Sequence, residues 1–503
     1  MKKMTLKKLF GGICCAAMMV FAVSCAQGVD DETWTSGVSG VQLESPAADS
    51  FVVNFVTDAS GVEQVKLTWP VVMGAGGYLC NVWNVNDLDN PEVIVENVTT
   101  DGASLYFPLV EDSNYKVSVQ TLGNEKYNNK GAATATETTV NTMIEGIPVP
   151  ASEELGAFIT NYITTNADAL AAQRAANPNY EIAFDLAAGA TYTMSTIADC
   201  GTQPTRIRGD RYEKPTVVIA EGSNAYFMTA AGLKLKFLNI DAAGHDKQDT
   251  GLITMHQNPP ADTKLGTNSY MCEKPVRMET CWVKNLKRSI ISFGGKQWGV
   301  NEFRISDCII QCNNTGSGAH KTLICGYCGS SGNFPGGDKW YGGILDTYVV
   351  NSTIYNTCPA DQTKTSAYFI RFSNGDIAKA FGSNGGKFNI QNCTLSRVWP
   401  DKDFGNNVGT KNYYTCTFEN TIFYDVRLLQ KVLSRGCAFS CTNNTIWGVT
   451  AAIDNTDKSK GYAAEADPGF TDDNVFKELD FSQPNGGVNF KPTTGNGDPR
   501  WLK

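Results

Sequence analysis

The stretch Phe388-Asn389-Ile390-Gln391-Asn392-Cys393-Thr394-Leu395 decides the fold. Apolar residues alternate up to Asn392, and the alternation restarts one residue later, so the inward phase flips there. Period-two alternation marks a strand with one buried face. A phase flip at Asn, which tolerates left-handed backbone, marks a corner between two strands that face one core. The same figure occurs at Phe303/Ile305, Asp307, Cys308/Ile310 and at Val276/Met278, Thr280, Cys281/Val283. It recurs at Tyr348/Val350, Ser352, Thr353/Tyr355 and at Cys416/Phe418, Asn420, Thr421/Phe423. Leu235/Phe237, Asn239, Ile240 is an earlier copy, and Phe439/Cys441, Asn443-Asn444, Thr445/Trp447 a last one with an extra residue. The bends are thus placed at 239, 280, 307, 352, 392, 420 and 444, at the uneven spacing of a solenoid whose coils carry loops of different length.

Cys281, Cys308 and Cys393 share the position after the bend, with Thr353, Thr421 and Thr445 in that slot elsewhere. The expectation is a buried column in which a thiol acts as a small apolar side chain. This reading is set against a zinc framework of Cys308, Cys312, Cys325, Cys328 and His320. Cys308 and Cys312 already fit the inward phase, so the sequence reading favours the column. Cys325 and Cys328 could still form a local disulfide.

Upstream, Lys2, Lys3, Lys7 and Lys8 precede the apolar run Leu9 to Val23, shorter than a membrane span. Residues 1–25 read as a signal peptide ending in Ala22-Val23-Ser24-Cys25. Residues 26–37, with Asp30-Asp31-Glu32, read as a tether. The formal net charge of −9 becomes −13 without the four signal lysines, which argues against a nucleic-acid partner. With 48 glycines and few helical patterns, the chain reads as all-β and turn-rich.

Residues 38–145 alternate in short strands, among them Val65-Lys66-Leu67-Thr68-Trp69, Tyr78 to Trp83 and Tyr115 to Val119, as in a seven-stranded sandwich. From Pro148-Val149-Pro150, Ser152 is the expected cap of a helix carrying Leu155, Phe158, Ile159, Tyr162 and Ile163 on one stripe. That helix is expected to close the first coil of a solenoid over 146–503.

Ala22 to Cys25 resembles a bacterial lipobox. That resemblance implies acylation of Cys25, and the acidic cluster resembles a surface-export signal of Bacteroidetes lipoproteins. Trp69, Gly74 to Tyr78, and Leu109 six residues before Tyr115 give 38–145 a resemblance to a fibronectin type III domain. The remainder resembles the right-handed parallel β-helix of pectate-lyase-like proteins, its Asn bends resembling their asparagine ladder. Asp467-Pro468-Gly469-Phe470 and Gly497-Asp498-Pro499-Arg500-Trp501 resemble the close of Bacteroidetes lipoproteins encoded beside glycan-degrading systems. Together these imply a lipid-anchored outer-membrane protein facing outward, near glycan importers and degrading enzymes.

The leading functional expectation is polysaccharide binding in the solenoid groove, of a pectin-type or other acidic glycan. Sugar rings need flat aromatic faces and hydroxyl partners, and acidic glycans need cations. Between Lys274 and Arg304, seven basic residues stand against Glu279 and Glu302. The expected contacts are Lys284, Lys287, Arg288, Lys296, Trp298, Trp340 and Tyr341. The alternative is a polysaccharide lyase. There the resemblance implies an Arg or Lys base, for which Lys321 and Arg371 stand as candidates. It also implies calcium between carboxylates, for which Asp338, Asp346 and Asp361 stand as candidates, although the family's Arg-x-Pro-x-x-Arg pattern is absent. Without catalysis no cofactor is expected. A glycosidase needs two apposed carboxylates, and alternation alone does not pair any. A structural or adhesive surface protein is the third reading.

Overall fold

A computed structural model describes residues 37–57, 63–258, 261–266, 269–313, 322–326, 332–333, 339–340, 342–358, 368–372, 377–383, 385–398, 405–406, 414–426, 438–448 and 464–503. The chain divides into two compact units, residues 1–144 and 145–503.

In the first unit, Val52–Thr57, Glu63–Thr68 and Ser104–Pro108 form one antiparallel sheet. Glu92–Thr100, Gly77–Asn84, Asn114–Leu122 and Thr136–Asn141 form another. Alternate residues of both sheets, Val65, Leu67, Cys80, Val82, Phe107, Tyr115 and Val117, share one buried core. Trp69 stands edge-on to Tyr78 at 5.2 Å and to Phe51 at 5.9 Å. The Tyr115 hydroxyl accepts the Val110 N–H at 3.0 Å, tying the chain ahead of its strand.

The second unit is a parallel β-helix with three faces. The first face stacks Gly146–Val149, Ile182–Leu186, Thr205–Arg208, Leu233–Lys236, Val276–Glu279, Gln297–Ser306, Gly343–Val350, Gly386–Gln391, Tyr414–Glu419 and Ala438–Thr442. The second stacks Thr191–Met194, Thr216–Ile219, Asn239–Asp241, Trp282–Leu286, Ile309–Cys312, Thr353–Asn356, Thr394–Ser396, Ile422–Tyr424, Thr445–Trp447 and Ala464–Glu465. The third stacks Ala198–Asp199, Phe227–Thr229, Gly251–Met255, Ser289–Ser292, Ile324–Gly326, Ile370–Phe372 and Gly405–Asn406. The chain visits the faces in that order once per coil, so neighbours in space are a full coil apart in sequence. Inward residues such as Met278, Val283, Ile305, Ile310, Phe388 and Leu395 are fully buried in one continuous core.

The corner between the first and second faces is a single residue with positive φ. These residues are Phe237 (58°), Thr280 (54°), Asp307 (56°), Asn351 (49°), Asn392 (53°), Asn420 (49°) and Asn443 (52°). Thr280, Asp307, Asn392 and Asn420 stand where the alternation places them. The bends expected at 239, 352 and 444 lie instead at 237, 351 and 443. At two of these corners two adjacent polar residues fit the phase flip equally well, and the left-handed backbone selects Asn351 over Ser352 and the first Asn of Asn443-Asn444. Phe237 is the exception to the small-polar rule. Its ring lies under the Arg211 guanidinium, 4.4 Å from centroid to Cζ.

Two ladders run along this corner. Outside, Asn351 Nδ2 donates to Asp307 Oδ1 (3.3 Å), Asn392 to Asn351 (3.1 Å), Asn420 to Asn392 (3.1 Å) and Asn443 to Asn420 (2.6 Å). Inside, the buried column is Leu238, Cys281, Cys308, Ser352, Cys393, Thr421 and Asn444. The column therefore holds Ser352 and Asn444 rather than Thr353 and Thr445, a consequence of the one-residue shift at those bends. Its thiols and hydroxyls donate back across the corner: Cys308 Sγ to Ser306 O (3.2 Å), Ser352 Oγ to Val350 O (2.7 Å), Cys393 Sγ to Gln391 O (3.1 Å) and Thr421 Oγ1 to Glu419 O (2.9 Å). Each of these carbonyls also accepts the backbone N–H of the corner residue one coil earlier, from Thr280, Asp307, Asn351 and Asn392 respectively, so the column adds a second donor to an acceptor with two lone pairs. Burial pushes the Cys281 thiol up to about 12 and Cys308 well above the ordinary thiol value, so both are neutral donors. Among the described residues, no two cysteines are joined in a disulfide. Cys328 and His320 lie outside the described residues.

The helix Leu155–Thr165 begins two residues later than a Ser152 cap would place it; its cap is Glu154, which accepts the Ala157 N–H. Glu154 also accepts the Thr196 hydroxyl at 2.7 Å and the Thr196 N–H at 3.1 Å. Tethering to a neighbouring loop is something Ser152 is too short to provide. Leu155 and Ile159 are buried in the solenoid core, and Tyr162 meets Phe184 edge-on at 5.5 Å. A Cβ at Gly156 would stand 2.2 Å from the Thr196 carbonyl, so glycine permits this close approach. A second helix, Ala167–Ala176, lacks a wide apolar stripe, buries only Leu170, and was not anticipated from periodicity.

Candidate functional site

The outer surfaces of the faces differ. On the second face, Trp282, Ile309 and Tyr355 point outward and are covered by Leu479, Phe481, Val488, Phe490 and Trp501 of the C-terminal segment. Its end clasps the corner. Trp501 Nε1 donates to Thr353 Oγ1 (2.6 Å), and Thr353 Oγ1 donates to Asp498 Oδ2 (2.8 Å). Asp498 N donates to Thr394 Oγ1 (3.1 Å), and Arg500 Nη2 to Asp307 O (3.0 Å). A Cβ on Gly497 (φ 106°) would stand 2.8 Å from Thr394 Oγ1, so this approach requires glycine. The motif Gly497 to Trp501 is therefore a clasp that closes the second face along several coils.

On the first face the outward positions form columns set by strand register. One column runs Lys234, Arg277, Arg304, Tyr348, Asn389, and a parallel one Glu302, Asp346, Lys387. Near the N-terminal coils the outward cations are buried: Arg206 and Lys234 meet Glu181, each at 2.9 Å, and Lys236 meets Glu279 at 3.0 Å. From Arg277 onward the surface opens, with Arg277, Glu279, Glu302, Arg304, Asp346 and Tyr348 half-buried and Lys387 exposed.

In this open stretch Glu302 Oε1 accepts Arg277 Nε at 2.6 Å and Arg304 Nε at 3.3 Å. The Arg304 guanidinium lies 4.2 Å from the Tyr348 ring centroid, a cation–π contact. The Tyr348 hydroxyl donates to Asp346 Oδ2 at 3.3 Å. Burial pushes the Asp346 carboxyl above the usual carboxylate range, with Glu302 adding to it, against the pull of Lys387 and of the Tyr348 hydrogen bond. Burial, then the charges of Asp346 and Glu302, push the Tyr348 phenol up. Three cations and three carboxylates balance here, so the stretch is a mixed, polarised surface rather than a basic one.

The residues expected from sequence do not converge. Trp298 is fully buried, its Nε1 donating to His256 O at 3.2 Å, so its ring has no face to offer a sugar. Lys284 is on the second face, 3.3 Å from Asp241 Oδ2 and 4.8 Å from the Phe481 ring, beneath the C-terminal segment. Lys287 Nζ donates to Ala243 O at 2.8 Å, and Arg288 Nε to Asp246 Oδ1 at 2.7 Å, beyond the second face. Lys296 is in the turn before Gln297–Ser306, its N–H donating to Phe293 O at 3.0 Å. The local basic excess is thus spread over different sides of the coil, because a solenoid turns its chain through every face within about thirty residues. Trp340 belongs to a short hairpin, Gly332–Asn333 with Lys339–Trp340. Arg371 lies on the third face and Asp346 on the first, so they do not share a surface. Cys25, Lys321, Asp338, Tyr341 and Asp361 lie outside the described residues. Among the described residues, no group of three His, Cys, Asp or Glu side chains could hold a metal ion.

Arg277, Glu279, Glu302 and Arg304 entered the sequence reading only as charges, and Tyr348 and Lys387 as no contact at all. Counting back from the true corners finds them: Arg277, Arg304, Tyr348 and Asn389 each stand three residues before a bend. Placing that bend at 352 breaks the alignment.

Two family models match adjoining stretches, both described as domains of unknown function, one over residues 1–189 and the other (DUF4957) over residues 190–324. No curated protein matches the chain. Among solved structures, the chain is similar to pectate lyase PelI from Erwinia chrysanthemi, determined in complex with tetragalacturonic acid. The identity is 9% and the TM-score 0.13, covering 80% of this chain and 86% of that one. It is also similar to pectate lyase Pel3 from Pectobacterium carotovorum, at 13% identity and a TM-score of 0.14, covering 80% and 87%. At such scores the likeness carries no argument about this site, and the β-helix rests on the strand pairing itself.

Proposed function

We propose that this protein binds polysaccharide along the outer surface of its first face, between Arg277 and Asn389. The observation that carries this reading is the contrast between faces: the second is closed by its C-terminal segment, whereas the first presents an open, in-register column of hydrogen-bonding side chains. Successive members repeat at the strand spacing of about 4.8 Å, a step of the same order as one sugar residue in an extended chain. Arg304 stacked on Tyr348 offers hydroxyl donors beside an aromatic ring. The balanced charge suits glycans that are neutral or that carry scattered acids.

In this reading the rest of the chain delivers the binding surface. Cys25 carries the lipid anchor at the outer membrane, residues 26–37 tether it, and a fibronectin type III-like unit spaces a right-handed β-helix from the cell. The helix Leu155–Thr165 closes the first coil. Importers and degrading enzymes are the partners that would receive the bound polymer.

The test uses the chain from residue 26 onward in native gels cast with polygalacturonan, rhamnogalacturonan, arabinan, galactan, xyloglucan or chondroitin sulfate. Retardation by at least one polymer that is lost in Arg304→Ala and Tyr348→Ala supports the reading. Retardation that survives both substitutions moves the site elsewhere, and an unretarded protein across the panel favours an adhesive or structural role.

A further inference from the structure

The register of the first face does what alternation alone does not: it apposes two carboxylates. Glu302 and Asp346 are partners on adjacent parallel strands, pointing to the same half-buried surface. Their surroundings differ. Glu302 is gripped by Arg277 and Arg304, whose Nε atoms both stand against Oε1 and fix its orientation. Asp346 has a phenol on one oxygen and Lys387 as its neighbour on the next strand. Two carboxylate side chains paired in register on neighbouring strands, whose backbones stand about 4.8 Å apart, and in unlike environments, are the arrangement by which glycosidases divide two roles between two identical groups.

We infer that Glu302 and Asp346 are the nucleophile and the acid/base of a retaining glycoside hydrolase, acting on the polysaccharide held on this face. The inference rests on the binding reading above and adds chemistry to it. In the first step a Glu302 oxygen attacks the anomeric carbon while Asp346 gives its proton to the glycosidic oxygen. The carbon–oxygen bond breaks, the leaving chain departs with a new hydroxyl, and a glycosyl ester of Glu302 remains. In the second step Asp346, now a carboxylate, takes a proton from water, whose oxygen displaces Glu302 from the anomeric carbon. One water is consumed and both carboxyl groups return to their starting states. Burial of Asp346, which raises its affinity for a proton, favours the acid it must be in the first step. Tyr348 and Arg304 are positioning residues, holding Asp346 and Glu302 respectively. Placement on neighbouring strands, with no strand between them, points to retention, since inversion needs room for a water between the two groups.

The test follows reducing ends, ultraviolet absorbance and product anomer by proton resonance, using the same protein and the same polymers. The expected result is new reducing ends without unsaturated product, with the anomeric configuration kept. Glu302→Gln and Asp346→Asn should each lower the rate by about 10²–10⁴-fold, a loss far larger than any accompanying loss of retardation. Azide should restore turnover in Glu302→Gly as a glycosyl azide of inverted configuration, which a merely structural carboxylate would not allow. Retardation without new reducing ends overturns the inference and leaves the binding reading standing. Unsaturated product overturns it in favour of elimination. Neither retardation nor reducing ends removes the binding reading and the inference together.

Discussion

The corner seam and the outer first face are both ladders of side chains repeated once per coil, yet they end in opposite states. At the seam, Asp307, Asn351, Asn392, Asn420 and Asn443 pass hydrogen bonds from coil to coil, and the thiols and hydroxyls beneath them give the paired carbonyls of the bend a second donor. On the outer first face the columns change chemistry along their length, from Arg277 and Arg304 to Tyr348, and from Glu302 and Asp346 to Lys387. A ladder of like amides is self-complementary and closes on itself. A ladder of unlike groups keeps polar surface available to something else. Identical backbone geometry therefore serves stability in one place and, in the proposed function, recognition in the other, and side-chain uniformity along the column separates the two.

The sharpest way to break this comparison is at the lining of the closed face. Phe490→Ala should remove about 3–5 kcal/mol, since Phe490 is fully buried between Tyr355 and Trp501. Chemical denaturation would measure it, and polysaccharide retardation of the folded variant should not change. Asn392→Val comes next. It forces a β-branched residue into φ 53° and cuts two rungs of the ladder, for about 2–4 kcal/mol in total. Asn392→Gly keeps the backbone and loses only the rungs, so its smaller cost, about 1–2 kcal/mol, separates the two contributions in the same experiment. On the open face the pattern should reverse. Arg304→Ala should change unfolding free energy by about 1 kcal/mol or less, yet weaken polysaccharide retention about tenfold or more, roughly the loss of one charge-assisted contact.

The smallest effect expected is in pH. Burial raises the carboxyl of Asp498 above the usual range, against the attraction of Arg500. A raised folded-state value means that its contribution to stability is complete below about pH 4 and is lost as pH rises through the folded value. Stability of the clasp should therefore decline from acid toward neutral pH, and Asp498→Asn should flatten that decline. Thermal midpoints of the two proteins across this range would read it. A steeper profile in the variant would show that the Arg500 pair outweighs burial.

How much was legible varies with how locally each feature is encoded. The bends at Thr280, Asp307, Asn392 and Asn420 and the column of Cys281, Cys308 and Cys393 follow from alternation, because an inward phase is a property of a few neighbouring residues. The corners at Phe237, Asn351 and Asn443 were displaced because alternation constrains the flip only to within a residue, and left-handed backbone settles the rest. The helix Ala167–Ala176 escaped because its one buried residue, Leu170, leaves no periodic stripe to read. Lys284, Lys287, Arg288 and Trp298 looked like one site because they are close in sequence, and the coil sent them to different surfaces.

By itself, the sequence determined an all-β chain with a solenoid in its second part, the thiol column and most of its corners. These depend on periodicity and on which residues tolerate a left-handed φ. Only the tertiary structure decided which charges share a surface, that the segment from Phe470 to Trp501 seals the second face, and that Glu302 stands beside Asp346. Those pairings join residues tens to nearly two hundred positions apart. Their register depends on the cumulative length of every coil and loop between them, which no local pattern records.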